Sequence, residues 1–200
     1  MGQRLNIEIH ENGELLANSY FHWSAYTSSA IELTNEALSV YDSIITNNPI
    51  QKAVRMLEET GAGIHEEELH EVVLKNDRLL NQLRFSKTSK DRNQGFIHVL
   101  EDDMYRARDW DEGRVTIDIG DDTICFDVLY TDTVEYMLDA MEWTEDDLPP
   151  HINPDQYGCI MGEDWTFEGF SNFVDLYEQY PDGFQWTAPD GTDMVTRWIE

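Results

Sequence analysis

The chain has 200 residues, of which 41 are Asp or Glu and 13 are Lys or Arg, so its formal net charge is −28. A face that grips nucleic-acid phosphates needs clustered Lys and Arg, so the charge argues against direct phosphate binding and against attraction to an anionic membrane surface. Hydrophobic residues at 40% and aromatics at 12% are enough for a packed core without disulfides or metal, and they argue against global disorder.

The opening predicts a β-hairpin. Arg4–His10 and Glu14–His22 flank Glu11-Asn12-Gly13-Glu14, and Asn-Gly is the strongest two-residue turn signal. Centring the turn there pairs Ile9 with Leu16, Ile7 with Asn18 and Leu5 with Tyr20. The segment Tyr20–Thr27 is dense in aromatics and hydroxyls. It reads as core plus helix cap, with a polar-lined pocket around His22 as the alternative. Ala30, Ile31, Leu33, Leu38, Tyr41, Ile44 and Ile45 then recur at roughly helical spacing, with Thr27 or Ser28 as cap and Asn47-Asn48-Pro49 as stop. A short helix is expected from about Pro49 to Glu59. A longer one is expected over 65–84, its stripe formed by Leu69, Val72, Val73, Leu79, Leu80 and Leu83. Residues 86–94 are a polar connector, and Phe96–Leu100 has the pattern of a strand.

A second hairpin follows, with Arg114–Ile119 and Thr123–Tyr130 flanking Asp121-Asp122. Centring that turn pairs Ile119 with Ile124, Ile117 with Phe126 and Val115 with Val128, so all six apolar residues share one face. Asp118 and Asp127 then become neighbours on the solvent side. A helix runs from Asp132 or Thr133 through Trp143, residues 151–170 are irregular, and Ser171–Gln179 is a short helix. Phe184–Ala188 and Met194–Ile199 suggest a closing hairpin. This pattern predicts one α+β domain over 1–200, with an antiparallel sheet from N-terminal, central and C-terminal hairpins and several packed helices.

No apolar signal region and no run of about 18 apolar residues is present. Asn6 stands where a myristoylation signal wants Ser or Thr. Cys125 and Cys159 form no CxxC and are expected to be reduced, in a cytoplasmic protein.

The charge is uneven. Residues 1–98 carry 14 acidic and 9 basic residues, a mildly acidic helical half; residues 99–200 carry 27 acidic and 4 basic residues. No lysine follows Lys90. Solubility alone, adaptation to high salt and a functional anionic surface compete to explain this. Salt adaptation would spread acids over both halves, so the anionic surface leads.

Catalytic signals are sparse. His65 and His70 in HEEELH are five apart, whereas a helical zinc pair needs four. Residues 153–164 loosely echo an EF-hand loop, but Tyr157 occupies a ligand position and Pro149-Pro150 precludes the entering helix. Cys125 between Ile124 and Phe126 reads as packing. No nucleophile elbow or phosphate loop appears. No catalytic residue, metal or cofactor is expected.

The expected function is therefore that of an acidic, non-enzymatic inhibitor that mimics nucleic acid in the basic groove of a nuclease or other nucleic-acid-handling defence protein. Its contact residues would be Asp102, Asp103, Asp109, Asp111, Glu112, Asp118, Asp121, Asp122, Glu145, Asp146, Asp147, Glu163 and Asp164. Trp110, Trp143, Tyr157 and Trp165 would add desolvated anchors. B-DNA carries one charge per about 1.7 Å, so the acidic half matches a duplex of roughly 39 Å. Composition resembles phage-encoded anti-restriction and anti-CRISPR mimics at the level of class. The run GQRLNIEI…NGE…HWSAYT resembles uncharacterised small proteins of phages and mobile elements, which implies a bacterial host cell and assigns no activity. The alternatives are a small hydrolase using a divalent cation held by clustered carboxylates, and a plain assembly protein.

Overall fold

The computed structural model describes residues 3–64, 95–109, 111–127, 164–179, 184–187 and 193–196. The expected helix over 65–84, the connector 86–94, the helix ending at Trp143 and the stretch 151–163 lie outside them.

Strands β1 (Leu5–Glu11) and β2 (Glu14–Phe21) form the first hairpin. Asn12 and Gly13 both take positive φ, at 54° and 81°, as a two-residue turn matched to strand twist demands. The register departs from the expected one. His10 opposes Leu15, but Ile9 opposes Ala17, Ile7 opposes Ser19 and Leu5 opposes Phe21. A bulge leaves Leu16 as an extra residue. It sorts the faces: Asn18 now lies opposite Glu8 rather than Ile7.

Strands β3 (Gly63–Ile64), β4 (Phe96–His98), β5 (Gly113–Asp118), β6 (Thr123–Asp127) and β7 (Asp164–Thr166) complete a seven-stranded sheet in the order β3-β4-β2-β1-β5-β6-β7. The fold is α+β, but the sheet is mixed rather than antiparallel: β1 with β5 and β3 with β4 are parallel. The chain leaves β2 through helices and returns alongside β1 in β1's own direction. The closing hairpin, β8 (Phe184–Thr187) with β9 (Asp193–Thr196), forms a separate two-stranded ladder.

The second hairpin also corrects the expected register. Ile117 opposes Ile124 and Val115 opposes Phe126, around the four-residue turn Ile119–Asp122. A slip of two residues keeps every side chain on its face. Val115, Ile117, Ile119, Ile124 and Phe126 are therefore all buried as expected, while Val128 lies outside the described residues. Asp118 opposes Thr123 and Asp127 opposes Arg114, so those two acids are not cross-strand neighbours.

The apolar face is covered by α1 (Thr27–Ser39), α2 (Pro49–Glu59) and α4 (Phe167–Gln179). Ile31, Met56, Leu57, Phe170 and Phe173 from these helices join Leu5, Ile7, Ile117 and Phe126 in one cluster. Each such side chain contributes about 1.5–3 kcal/mol by leaving water. α1 stops at Ser39, shorter than its periodicity suggested, and a 3₁₀ turn over Tyr41–Ser43 follows. Tyr26, not Thr27 or Ser28, occupies the N-cap, without a side-chain bond. Asn48 caps α2 by accepting the Gln51 N–H at 3.2 Å, with Pro49 in the first turn.

Candidate functional site

The opposite face of the sheet is polar. β1 contributes Asn6, Glu8 and His10 to it, β2 contributes Asn18 and Tyr20, and β5 contributes Arg114, Thr116 and Asp118. A helix absent from the expectations, α3 (Glu101–Arg108), lies on this face. Asn6 Nδ2 donates to the Ala107 carbonyl at 3.0 Å, and Asn18 Nδ2 to the Met104 carbonyl at 3.4 Å. Only Met104 of this helix is buried, so no apolar stripe announced it. Its order is electrostatic instead. Glu101, Asp102 and Asp103 fill its first turn, and Arg106 and Arg108 its last, as the helix dipole favours.

Glu8 sits at the centre of this face and is 0% exposed. Its Oε2 meets His10 Nε2 at 2.9 Å, and its Oε1 lies 2.7 Å from Arg108 Nε and 3.4 Å from Arg114 Nε. Oε1 has no aligned donor, so its attraction to the two arginines is Coulombic. Arg114 also holds Asp111, through Nη2 at 2.6 Å and Nε at 2.9 Å. A buried carboxylate is tolerated only with such partners.

At one end of the sheet the two hairpin turns meet. Asp118 accepts N–H groups from Asn12 at 3.0 Å, Gly13 at 2.7 Å, Gly120 at 2.8 Å and Asp121 at 3.3 Å. Partial burial works against its ionisation, but these four donors outweigh it and hold the carboxyl below its ordinary range. Tyr41 Oη donates to Asp122 Oδ1 and to the Ile119 carbonyl, both at 3.3 Å. Burial, then the charges of Asp122, Asp42 and Glu11, raises the Tyr41 phenol, a sign of negative potential at this end. Lys52 Nζ sits 3.5 Å over the Tyr41 ring. On the far side of the first turn, Glu14 shares a cleft with Glu101 of α3. Glu14, Glu101, Asp102, Asp121 and Asp122 thus form an exposed acidic rim from three segments remote in sequence. Among the described residues none of the five is in an ion pair.

The expected contact residues divide accordingly. Asp102, Asp109, Asp121 and Asp122 are exposed. Asp103 faces Arg106 at 3.7 Å, Asp111 is held by Arg114, Glu112 accepts the Arg4 backbone N–H at 3.0 Å, and Asp118 is absorbed by the turns. Trp165 is no surface anchor: it is 4% exposed and packs against Phe170 and Phe173 in the core. Asp164 belongs to β7, opposite Cys125. Trp110, Trp143, Glu145, Asp146, Asp147, Tyr157 and Glu163 lie outside the described residues, as do His65, His70 and all of the 153–164 loop before Asp164. Glu14 and Glu101 were missed because only the fold brings them together. The Tyr20–Thr27 segment is partly core: Phe21, Ala25 and Thr27 are buried. Trp23 is exposed at a positive φ of 71° beside His22, whose Nδ1 lies 3.1 Å from Tyr20 Oη. No helix among the described residues is long and apolar enough to cross a membrane. Comparison with protein-family models, with characterised proteins and with solved structures finds no match.

Proposed function

We propose that the protein is a non-enzymatic binding protein that docks its acidic surface on a basic partner, as a mimic of nucleic acid. The observation that carries this reading is the rim of Glu14, Glu101, Asp102, Asp121 and Asp122. These acids are exposed and unneutralised among the described residues, while neighbouring acids are engaged in holding the fold together. Rigid, like-signed charge on an ordered scaffold suits electrostatic recognition, which sets association rate and specificity. The hydrolase reading gains no comparable support: among the described residues no three His, Cys, Asp or Glu side chains converge as metal ligands.

The test is affinity capture of a partner from a bacterial lysate, followed by competition with duplex DNA. The expected partner is a basic nucleic-acid-handling protein, released by DNA and by added salt. A partner that stays bound when saturated with nucleic acid overturns mimicry. Recovery of no basic protein overturns the binding function.

A further inference from the structure

We propose that the cleft between the first hairpin turn, the start of α2 and the start of α3 receives an arginine side chain of the basic partner. The inference rests on the reading above and names the contact through which it would act.

The cleft encloses about 360 Å³. Its walls include Leu15, Leu16, Ile50 and Val99, and it carries two carboxylates, Glu14 and Glu101, from different elements. Tyr105, 49% exposed, completes it. Two features of the fold create this space. The β2 bulge adds Leu16 to the wall beside Leu15. β4 meets β2 only at Asn18–Tyr20, so among the described residues Leu15–Ala17 has a neighbouring strand, β1, on one side alone.

This chemistry selects an occupant. The accessible lining of the cleft is largely polar, and an arginine brings a fork of donors for the carboxylates and a planar cation that stacks on an aromatic ring. The Tyr105 ring already has one guanidinium near it, Arg108 at 5.7 Å from the centroid. A lysine would gain the charge without the stacking or the fork. An acidic side chain would meet two like charges, and a purely apolar one would desolvate them without compensation.

The experiment is an amide-resolved NMR titration of the full chain with N-acetyl-arginine amide, with N-acetyl-norleucine amide as the uncharged comparison. Saturable shifts at Gly13, Leu15, Val99 and Tyr105 are expected with the arginine probe. Glu14→Gln with Glu101→Gln is expected to weaken it about fivefold, the scale of two exposed charge contacts. The matched charge loss Glu32→Gln with Glu36→Gln on α1 is expected to leave it within about twofold. If the cleft variant binds as well as the wild type, or the α1 control weakens the probe equally, or norleucine amide moves the same amides as far, the inference fails. The two readings separate cleanly. Capture of a basic partner with undiminished affinity by the cleft variant sinks the cleft and leaves the binding function to rest on Asp102, Asp121 and Asp122. An arginine-filled cleft without any captured basic partner sinks the binding function alone.

Discussion

Asp118 Oδ2 accepts the Gly13 backbone N–H at 2.7 Å, although 105 residues separate the two in sequence. The same carboxylate takes N–H groups from Asn12, Gly120 and Asp121. It therefore ties together the turns of two hairpins whose strands β1 and β5 lie parallel, side by side.

Removing this tie should destabilise the fold. Asp118→Ala removes four hydrogen bonds to a charged acceptor, so a loss of about 1–3 kcal/mol is expected in urea unfolding at pH 7. The Asp118 carboxyl is held below its ordinary 3.8 in the folded chain. Its contribution is therefore complete above that value and disappears as the pH falls through the folded-state value. The gap between wild type and variant should close in strong acid. Identical urea midpoints at pH 7 would refute the role.

Gly120 and Gly13 should respond differently to alanine. A Cβ at Gly120 would lie 2.7 Å from Asn12 Oδ1 and 2.8 Å from Asn12 N. Forcing the turns apart should cost about 1–3 kcal/mol. A Cβ at Gly13 meets nothing within 4 Å, and the φ of 81° alone opposes it. There the cost should be nearer 1 kcal/mol. Thermal unfolding of both variants checks the order, and a larger penalty at Gly13 would contradict the packing of turn on turn.

Glu8→Ala should be the most damaging single change on the polar face. It removes the buried partner of Arg108 and leaves Arg114 with Asp111 alone; both arginines keep some access to water, so the cost should be about 2–3 kcal/mol. Hydrogen exchange should show α3 loosening before the rest of the sheet, because Arg108 ties its last turn to β1. Uniform loss of protection throughout the chain would argue against that order.

Charge reversal should separate docking acids from structural ones. Asp102→Lys or Asp121→Lys should weaken partner binding by about 1 kcal/mol or less, mainly through slower association, with stability nearly unchanged. Asp111→Lys should instead lower stability, because Arg114 loses its closest partner. Stopped-flow association and urea unfolding on the same variants decide the matter. A stability loss at Asp121 equal to that at Asp111 would erase the distinction.

Local signals in the sequence carried the elements further than their assembly. Asn12-Gly13 marked the first turn, Asn48-Pro49 the start of α2, and the alternation of Val115, Ile117, Ile124 and Phe126 a buried face. The registers were not legible. A bulge at Leu16 and a four-residue second turn depend on where polar partners land once the sheet forms. Parallel pairing of β1 with β5 was hidden because alternation reports which face is buried, not which strand lies alongside. α3 was invisible because charge, not an apolar stripe, organises it. For the candidate site, acidity was plain, but which acids are exposed was not. Asp111 and Asp121 look equivalent in sequence, and among the described residues only Asp111 has an arginine within reach.

The two arginines gathered on Glu8 bear on the missing lysines. Arg114 addresses carboxylates on two segments at once: its Nε and Nη2 hold Asp111 ahead of β5, and the same Nε lies 3.4 Å from Glu8 on β1. An ammonium is a single point on a flexible stem and could satisfy one of them while abandoning the other. Position 114 is thus closed to the substitution usually considered mildest for arginine. Sequence drift in this part of the molecule should exchange acids on the outside freely while keeping the guanidinium shape within.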